Sequence, residues 1–314
     1  MRFREATEAD ISAIAALTGG RNALPLEPRV REALPHLLGR LLSSPACTLT
    51  LFEEDGPSGA QAVSFAGGLF VRETVIQHYL ESPFPGLVPA LLRDLLDGGQ
   101  PLLTLDEIRR ANGYGGLTLA VLPIPYGNWK WDDPTYVELR KLAPQAFLRL
   151  VGGYRLRAIY YEVFTDEIAD YLRAGGYRLL HDFAAQAGSA HFGPDCRPRM
   201  LRLTPDDLPP GAMSMATQMF EPPTPRLGLT AAEQRVVLRA LDGASDQTVA
   251  ESLGLSPETV RSNWKSIYQR LAAFVPGLVG ATSAGAGTAR GTERRRAAIE
   301  YLRQNMHELR PWSR

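Results

Sequence analysis

Apolar positions at Ile11, Ile14, Ala15 and Leu17 recur at helical spacing behind Thr7, which suits an N-cap, and Phe3 precedes them in a short extended piece. A second helix is predicted after Pro28, with Val30, Leu34, Leu37, Leu38 and Leu41 on one face. Strand-like runs follow at 47–52, 61–65 and 69–71, then a helical pattern at 87–96 that Gly98 and Gly99 stop. Thr104 and Glu107 form a capping box, in which a hydroxyl and a carboxylate satisfy amide donors of a first turn. Beyond it the pattern predicts a buried strand at 117–122, a long helix at 135–150, a strand at 158–164, a helix at 167–172 and a strand at 177–180. Gly152-Gly153 and Gly175-Gly176 read as turns. This alternation of periods predicts an α/β layered domain with a mixed sheet over 1–205.

A Pro-rich stretch at 206–226 disfavours regular structure and reads as a linker. After it the period is purely helical. Thr230 and Glu233 are a second capping box, Gly243 ends that helix, and Ser245 caps a short one with Val249, Ala250 and Leu253 facing inward. A turn at Gly254-Leu255 leads to Ser256 as N-cap, Pro257 at the first helical position and Glu258 near the positive end of the helix dipole. At roughly 100° per residue, Val260, Trp264, Ile267, Tyr268 and Leu271 cluster on one side of the third helix. Ser262, Lys265 and Gln269 point the opposite way, with Arg261 at the flank. An all-α domain is expected at 227–275, followed at 276–314 by a Gly- and Ala-rich linker and a basic amphipathic helix bearing Ile299, Leu302 and Met306.

A length of 314 residues favours about two domains, and 45% hydrophobic with 22% charged residues is ordinary for a globular chain. The formal net charge of +0 conceals an asymmetry: from Pro225 onward there are 13 Lys and Arg against 8 Asp and Glu, so a basic part follows an acidic one. Cys47 and Cys196 stand far apart, which excludes a disulfide framework and fits a reducing cytoplasm. No charged start leads into an apolar signal run, and no apolar run nears the ~20 residues that cross a bilayer. His36, His78, His181 and His307 form no ligand spacing, and His191 with Cys196 is too sparse for a metal site, so none is expected. Glu53 and Glu54 are expected as solvated strand-end charges rather than an acid/base pair.

The helical segment resembles the LuxR-type helix-turn-helix, over Leu229-Thr230, Glu233, Val236, Gly243, Ser245, Val249-Ala250, Leu253, Ser256, Thr259-Val260-Arg261, Ile267-Tyr268 and Arg270-Leu271. The resemblance implies duplex DNA as partner and action as a homodimer on two-fold sites. It places Arg261, Ser262 and Lys265 at base edges, with Thr259 and Gln269 in the DNA-facing set, and Gln247, Ser256 and Arg270 near phosphates. Asn263, Arg235 and Asp246 depart from the commonest residues, which implies a different operator sequence.

The first domain resembles the GNAT acetyltransferase fold, through "FREATEADISAIAAL" at its start and "AIYYEVFTDEIADYLRAGGYRLLHDF" near its end. That resemblance implies an acetyl-CoA site after the central strand, where backbone amides at a helix N-terminus hold the pyrophosphate. The corresponding stretch "PIPYGNWKWDDP" offers Tyr126, Gly127, Asn128 and Trp129 as cofactor-contacting candidates, yet Gly127 is its one glycine and Asp132 and Asp133 oppose a phosphate. The family's tyrosine acid falls on Tyr171, or on Leu172 in the other register. Trp129, Trp131 and Asp132 are also similar to the aromatic-plus-Asp lining of acyl-homoserine-lactone receptors. The expectation is a cytoplasmic regulator whose GNAT-like domain has lost catalysis and senses a small molecule or mediates assembly. The alternative is an active N-acetyltransferase, using acetyl-CoA, fused to a DNA-binding domain.

Overall fold

Gly67 and Gly68 fall between the runs expected at 61–65 and 69–71, yet they lie inside one strand. A Cβ on Gly67 would sit 2.2 Å from the Thr48 carbonyl oxygen, so only glycine lets the two backbones approach this closely. The two predicted runs therefore form a single 13-residue strand.

The computed structural model describes residues 1–18, 24–56, 59–125, 130–183, 196–208, 215–241, 243–280 and 287–312. They fall into two compact units. The first comprises Met1–Val151 and Arg155–Glu221, the second Gly152–Tyr154 and Pro222–Trp312. The boundary after Glu221 falls inside the stretch expected as a linker.

The first unit runs β1 (Arg2–Glu5), α1 (Ile11–Thr18), α2 (Pro28–Glu32), α3 (Leu34–Leu42), β2 (Cys47–Gly56), β3 (Gly59–Val71), α4 (Glu73–Glu81), α5 (Leu87–Leu96) and α6 (Leu105–Gly113). It continues with β4 (Leu117–Leu122), α7 (Pro134–Val151), β5 (Leu156–Val163), α8 (Asp166–Ala174), β6 (Arg178–Asp182), β7 (Arg199–Leu203) and α9 (Met215–Phe220). The strands form one mixed sheet in the order β1-β2-β3-β4-β5-β7-β6. Every neighbouring pair is antiparallel except β4 and β5. The sheet bears out the mixed α/β expectation. All six residues of β4 are buried, which explains their unbroken apolar pattern.

The pattern missed β7 because Arg199 and Arg202 interrupt it, yet Met200, Leu201 and Leu203 are buried. It missed α9 because the surrounding prolines read as irregular chain, although Met219 and Phe220 are buried. Glu53 is a correction. A bulge between Phe52 and Glu53 turns the carboxylate onto Arg2 and Arg4, at 3.1 and 2.9 Å, and it is buried rather than solvated.

The second unit is helical: α10 (Ala231–Ala240), α11 (Asp246–Leu253), α12 (Pro257–Phe274), α13 (Pro276–Gly280) and α14 (Gly287–Gln304), then a 3₁₀ turn at Met306–Leu309. One core unites them, with Val236, Val237, Val249, Val260, Ile267 and Leu271 joined by Ala298, Leu302 and Leu309 from the carboxyl end. The basic terminal helix is thus a wall of this unit. Among the described residues no helix is long and apolar enough to cross a membrane.

Candidate functional site

The turn between α11 and α12 is built by Gly254, at φ 63°. Its amide bonds the Glu251 carbonyl and the Leu255 amide bonds the Ala250 carbonyl at 2.9 Å, which closes α11 in a Schellman motif. Ser256 then starts α12, its hydroxyl accepting the Thr259 amide at 3.1 Å, with Pro257 at the first position, where its missing N–H leaves no bond unmade.

Helix α12 divides by face as its sequence predicts. Val260, Trp264, Ile267 and Leu271 are buried, while Arg261, Ser262, Lys265 and Gln269 are all exposed. Gln247, Ser256 and Thr259 are exposed too. Arg261 makes one surface ion pair with Glu258, at 3.3 Å within its own helix, worth little in water. Gln247 donates to Glu251 at 2.8 Å. The outward ridge is therefore polar and basic, with side chains free to turn to a partner.

Arg270 behaves differently. It reaches across to α10, bonding Glu233 at 3.3 Å and the carbonyls of Leu227 and Gly228 at 3.3 and 2.8 Å. Burial disfavours the Glu233 charge, but hydrogen bonds from Ser266 and Thr230 and the Arg270 charge outweigh it and hold its carboxyl below the usual range. Two further residues, absent from the sequence reading, steady α12 from behind. Arg295 of α14 pairs with Asp246, donates to the Ala244 carbonyl at 2.9 Å and lies 5.0 Å from the centre of the Trp264 ring. The Glu308 carboxylate accepts the Arg226 and Leu227 amides.

In the first unit, β4 and β5 are paired as far as Val121 and Tyr161, next to the end of β4. Helix α7 is the next helix along the chain, where the GNAT resemblance implies a pyrophosphate. Its start does not fit one. Pro134 has no amide, and the Thr135 amide is already bonded to the Asp133 carboxylate at 2.9 Å. Of the first two positions of α7, one thus has no donor and the other has its donor taken by a group that is itself negative. The cofactor-contacting candidates Tyr126, Gly127, Asn128 and Trp129 lie outside the described residues.

Below that helix start is a cavity of about 360 Å³ between α7, α8 and the sheet, with an almost wholly apolar lining. Tyr171 and Leu172, the two registers proposed for a proton donor, both line it. Tyr171 is 48% exposed at its rim, its ring 6.3 Å from Trp131. Among the described residues of the lining, Arg140 is the one that carries a charge. It missed notice in the sequence because nothing local distinguishes it from other helical arginines.

The remaining candidates do not converge. Burial pushes the Cys47 thiol up to about 12 and the Cys196 thiol, beside Glu162, up to about 11, which keeps both protonated and poorly nucleophilic at neutral pH. His191 lies outside the described residues.

No family model matches the chain, and no curated protein matches it either. Among solved structures it is similar to a ribosomal-protein-alanine N-acetyltransferase from Brucella melitensis, at 14% identity and TM-score 0.33 over 65% of this chain and 99% of that one. It is also similar to the C-terminal condensation domain of Ebony in complex with beta-alanyl-dopamine, at 11% identity and TM-score 0.40 over 65% and 98%. Mutant forms of the spermidine/spermine N-acetyltransferase SpeG from Vibrio cholerae give 9% identity and TM-score 0.37 over 65% and 95%. Likeness at this level carries no conclusion about activity or ligand.

Proposed function

We propose that the protein is a DNA-binding transcriptional regulator of the LuxR type, with a GNAT-like first unit that no longer transfers acetyl groups and instead binds an effector. One observation carries the reading: Arg261, Ser262, Lys265 and Gln269 stand exposed along α12 while its opposite face is locked into a core. A helix so presented, behind a tight capped turn, has the shape and charge that enter a major groove. The basic balance after Pro225 adds the phosphate attraction that base reading requires. Gln247 and Ser256 flank the ridge and are the phosphate contacts of this reading, whereas Arg270 acts by holding α12 to α10. The active unit is a homodimer working in the cytoplasm, spacing two such helices about one DNA turn apart.

The reading of the first unit as non-catalytic is supported by the Asp133 carboxylate seated on the first free amide of α7. Acetyl-CoA is not its ligand in this reading.

The test is selection of duplexes from a random pool with the full chain, followed by anisotropy titrations of the enriched sequence. Arg261→Ala and Lys265→Ala are each expected to weaken binding about tenfold at low salt, and the wild type's affinity to fall more steeply with salt than either variant's. Undiminished binding by both variants would remove the assignment of α12 as the reading helix.

A further inference from the structure

We infer that the cavity beneath α7 binds an amphiphilic monocarboxylate, an aliphatic chain of medium length whose carboxylate pairs with Arg140. The inference rests on the reading of the first unit as an effector-binding domain and names the effector's chemistry.

Size and lining come first. About 360 Å³ falls at the lower end of small-molecule sites, roughly 300–1,000 Å³, so the occupant is small. Val121, Leu139, Phe147, Ile168, Leu172 and Met219 supply walls of hydrocarbon, which favour an apolar body. Such a lining gives no purchase to a sugar or a nucleotide.

Arg140 supplies the polar end. Its Nη2 donates to the Trp131 carbonyl at 2.7 Å, and its guanidinium carbon lies 3.7 Å from the centre of the Trp131 ring and 5.1 Å from that of Tyr136. The head group is therefore held in place. Among the described residues its buried Nε has no hydrogen-bond partner and no carboxylate is paired with the guanidinium. Several arginines of this unit do have carboxylate partners, Arg4 in Asp10 and Glu53, Arg72 in Glu107 and Arg199 in Asp166 and Asp182, although the Arg72 Nε is likewise buried without a bond. A partly buried, immobilised and unpaired cation is a standing desolvation penalty, and an incoming anion removes it. One guanidinium neutralises one charge. A diphosphate would leave its remaining charge facing hydrocarbon, so the site selects a monoanion.

The experiment is calorimetric titration of the full chain with sodium decanoate below its micellar range, beside 1-decanol and octanoate. Decanoate is expected to bind at micromolar concentration, with octanoate about tenfold weaker for the two methylenes lost. Arg140→Gln is expected to weaken decanoate at least tenfold and leave decanol unchanged, while Arg140→Lys retains most of the carboxylate preference. Ala143→Phe, which fills the cavity, is expected to abolish both ligands, with circular dichroism confirming that each variant folds. Decanol binding the wild type as tightly as decanoate would overturn the inference, as would equal decanoate affinity in Arg140→Gln or no heat from any of the three ligands. These titrations contain no DNA, so a failure of duplex binding would strike the preceding reading and leave this one standing.

Discussion

Glu308 accepts the backbone amide of Leu227 at 2.9 Å across 81 residues, and the same carboxylate takes the Arg226 amide. The carboxyl end of the chain thereby fixes the entry to the helical unit. Gln234 extends the tie, donating to the carbonyls of Glu308 and Arg310 at 3.2 and 3.0 Å. These bonds assign the terminal segment a clamping role within its own unit.

Replacing Glu308 by Ala leaves two amides without acceptors, one of them buried. The expected loss is about 2 kcal/mol from the stability of the second unit, the scale of hydrogen bonds to a charged group. Hydrogen exchange of the α12 amides in the full chain checks it, through faster exchange in the variant. Removal of 292–314 is expected to be worse, because Ala298, Leu302 and Leu309 leave the core with it.

Arg270 and Arg261 are expected to separate stability from DNA affinity. Arg270→Ala leaves the buried Glu233 carboxylate with fewer partners and should lower the unfolding midpoint, by the equivalent of about 1–3 kcal/mol. Arg261→Ala, on an exposed side chain, should leave the midpoint unchanged. Chemical denaturation of both variants decides the matter, and an equal shift in the two would contradict the division drawn here.

Glu162 gives a pH signature. It is buried on β5, where burial pushes its carboxyl up to about 7 despite bonds from the Gly86 and Leu87 amides at 2.6 and 3.1 Å. The folded state therefore holds a proton that the unfolded chain releases near the ordinary carboxyl range of about 4.3. Stability should fall as pH rises from about 4.3 to about 7 and stay level above that. Glu162→Gln should flatten this part of the profile. Parallel denaturation profiles for wild type and variant would show that the group does not titrate as its surroundings dictate.

Acetyl-CoA is expected not to bind the full chain at micromolar concentration, because Pro134 has no amide and the Asp133 carboxylate occupies that of Thr135. Calorimetry reads this directly. A micromolar dissociation constant would restore the acetyltransferase alternative.

The amino-acid sequence by itself determined whatever depends on neighbours along the chain. The capping boxes at Thr104 and Thr230, the caps at Ser245 and Ser256, the Gly254 turn and the faces of α12 are read within one or two helical turns, and each is where the pattern put it. Hydrophobic period likewise located β4, β5 and α5.

What depends on distant partners had no local signature. Arg140, Arg295 and Glu308 read as surface charges on amphipathic segments, and Arg270 as a phosphate contact implied by resemblance. Only folding brings Glu308 to Leu227, Arg270 to Glu233 and Arg140 to an apolar cavity without a counter-charge. The cavity itself is assembled from residues of β3, β4, β5, β7, α7, α8 and α9, which only folding brings together. Period and propensity report which side of an element is apolar. They do not report what stands opposite it, and for a charged side chain that opposing group decides between support and recognition.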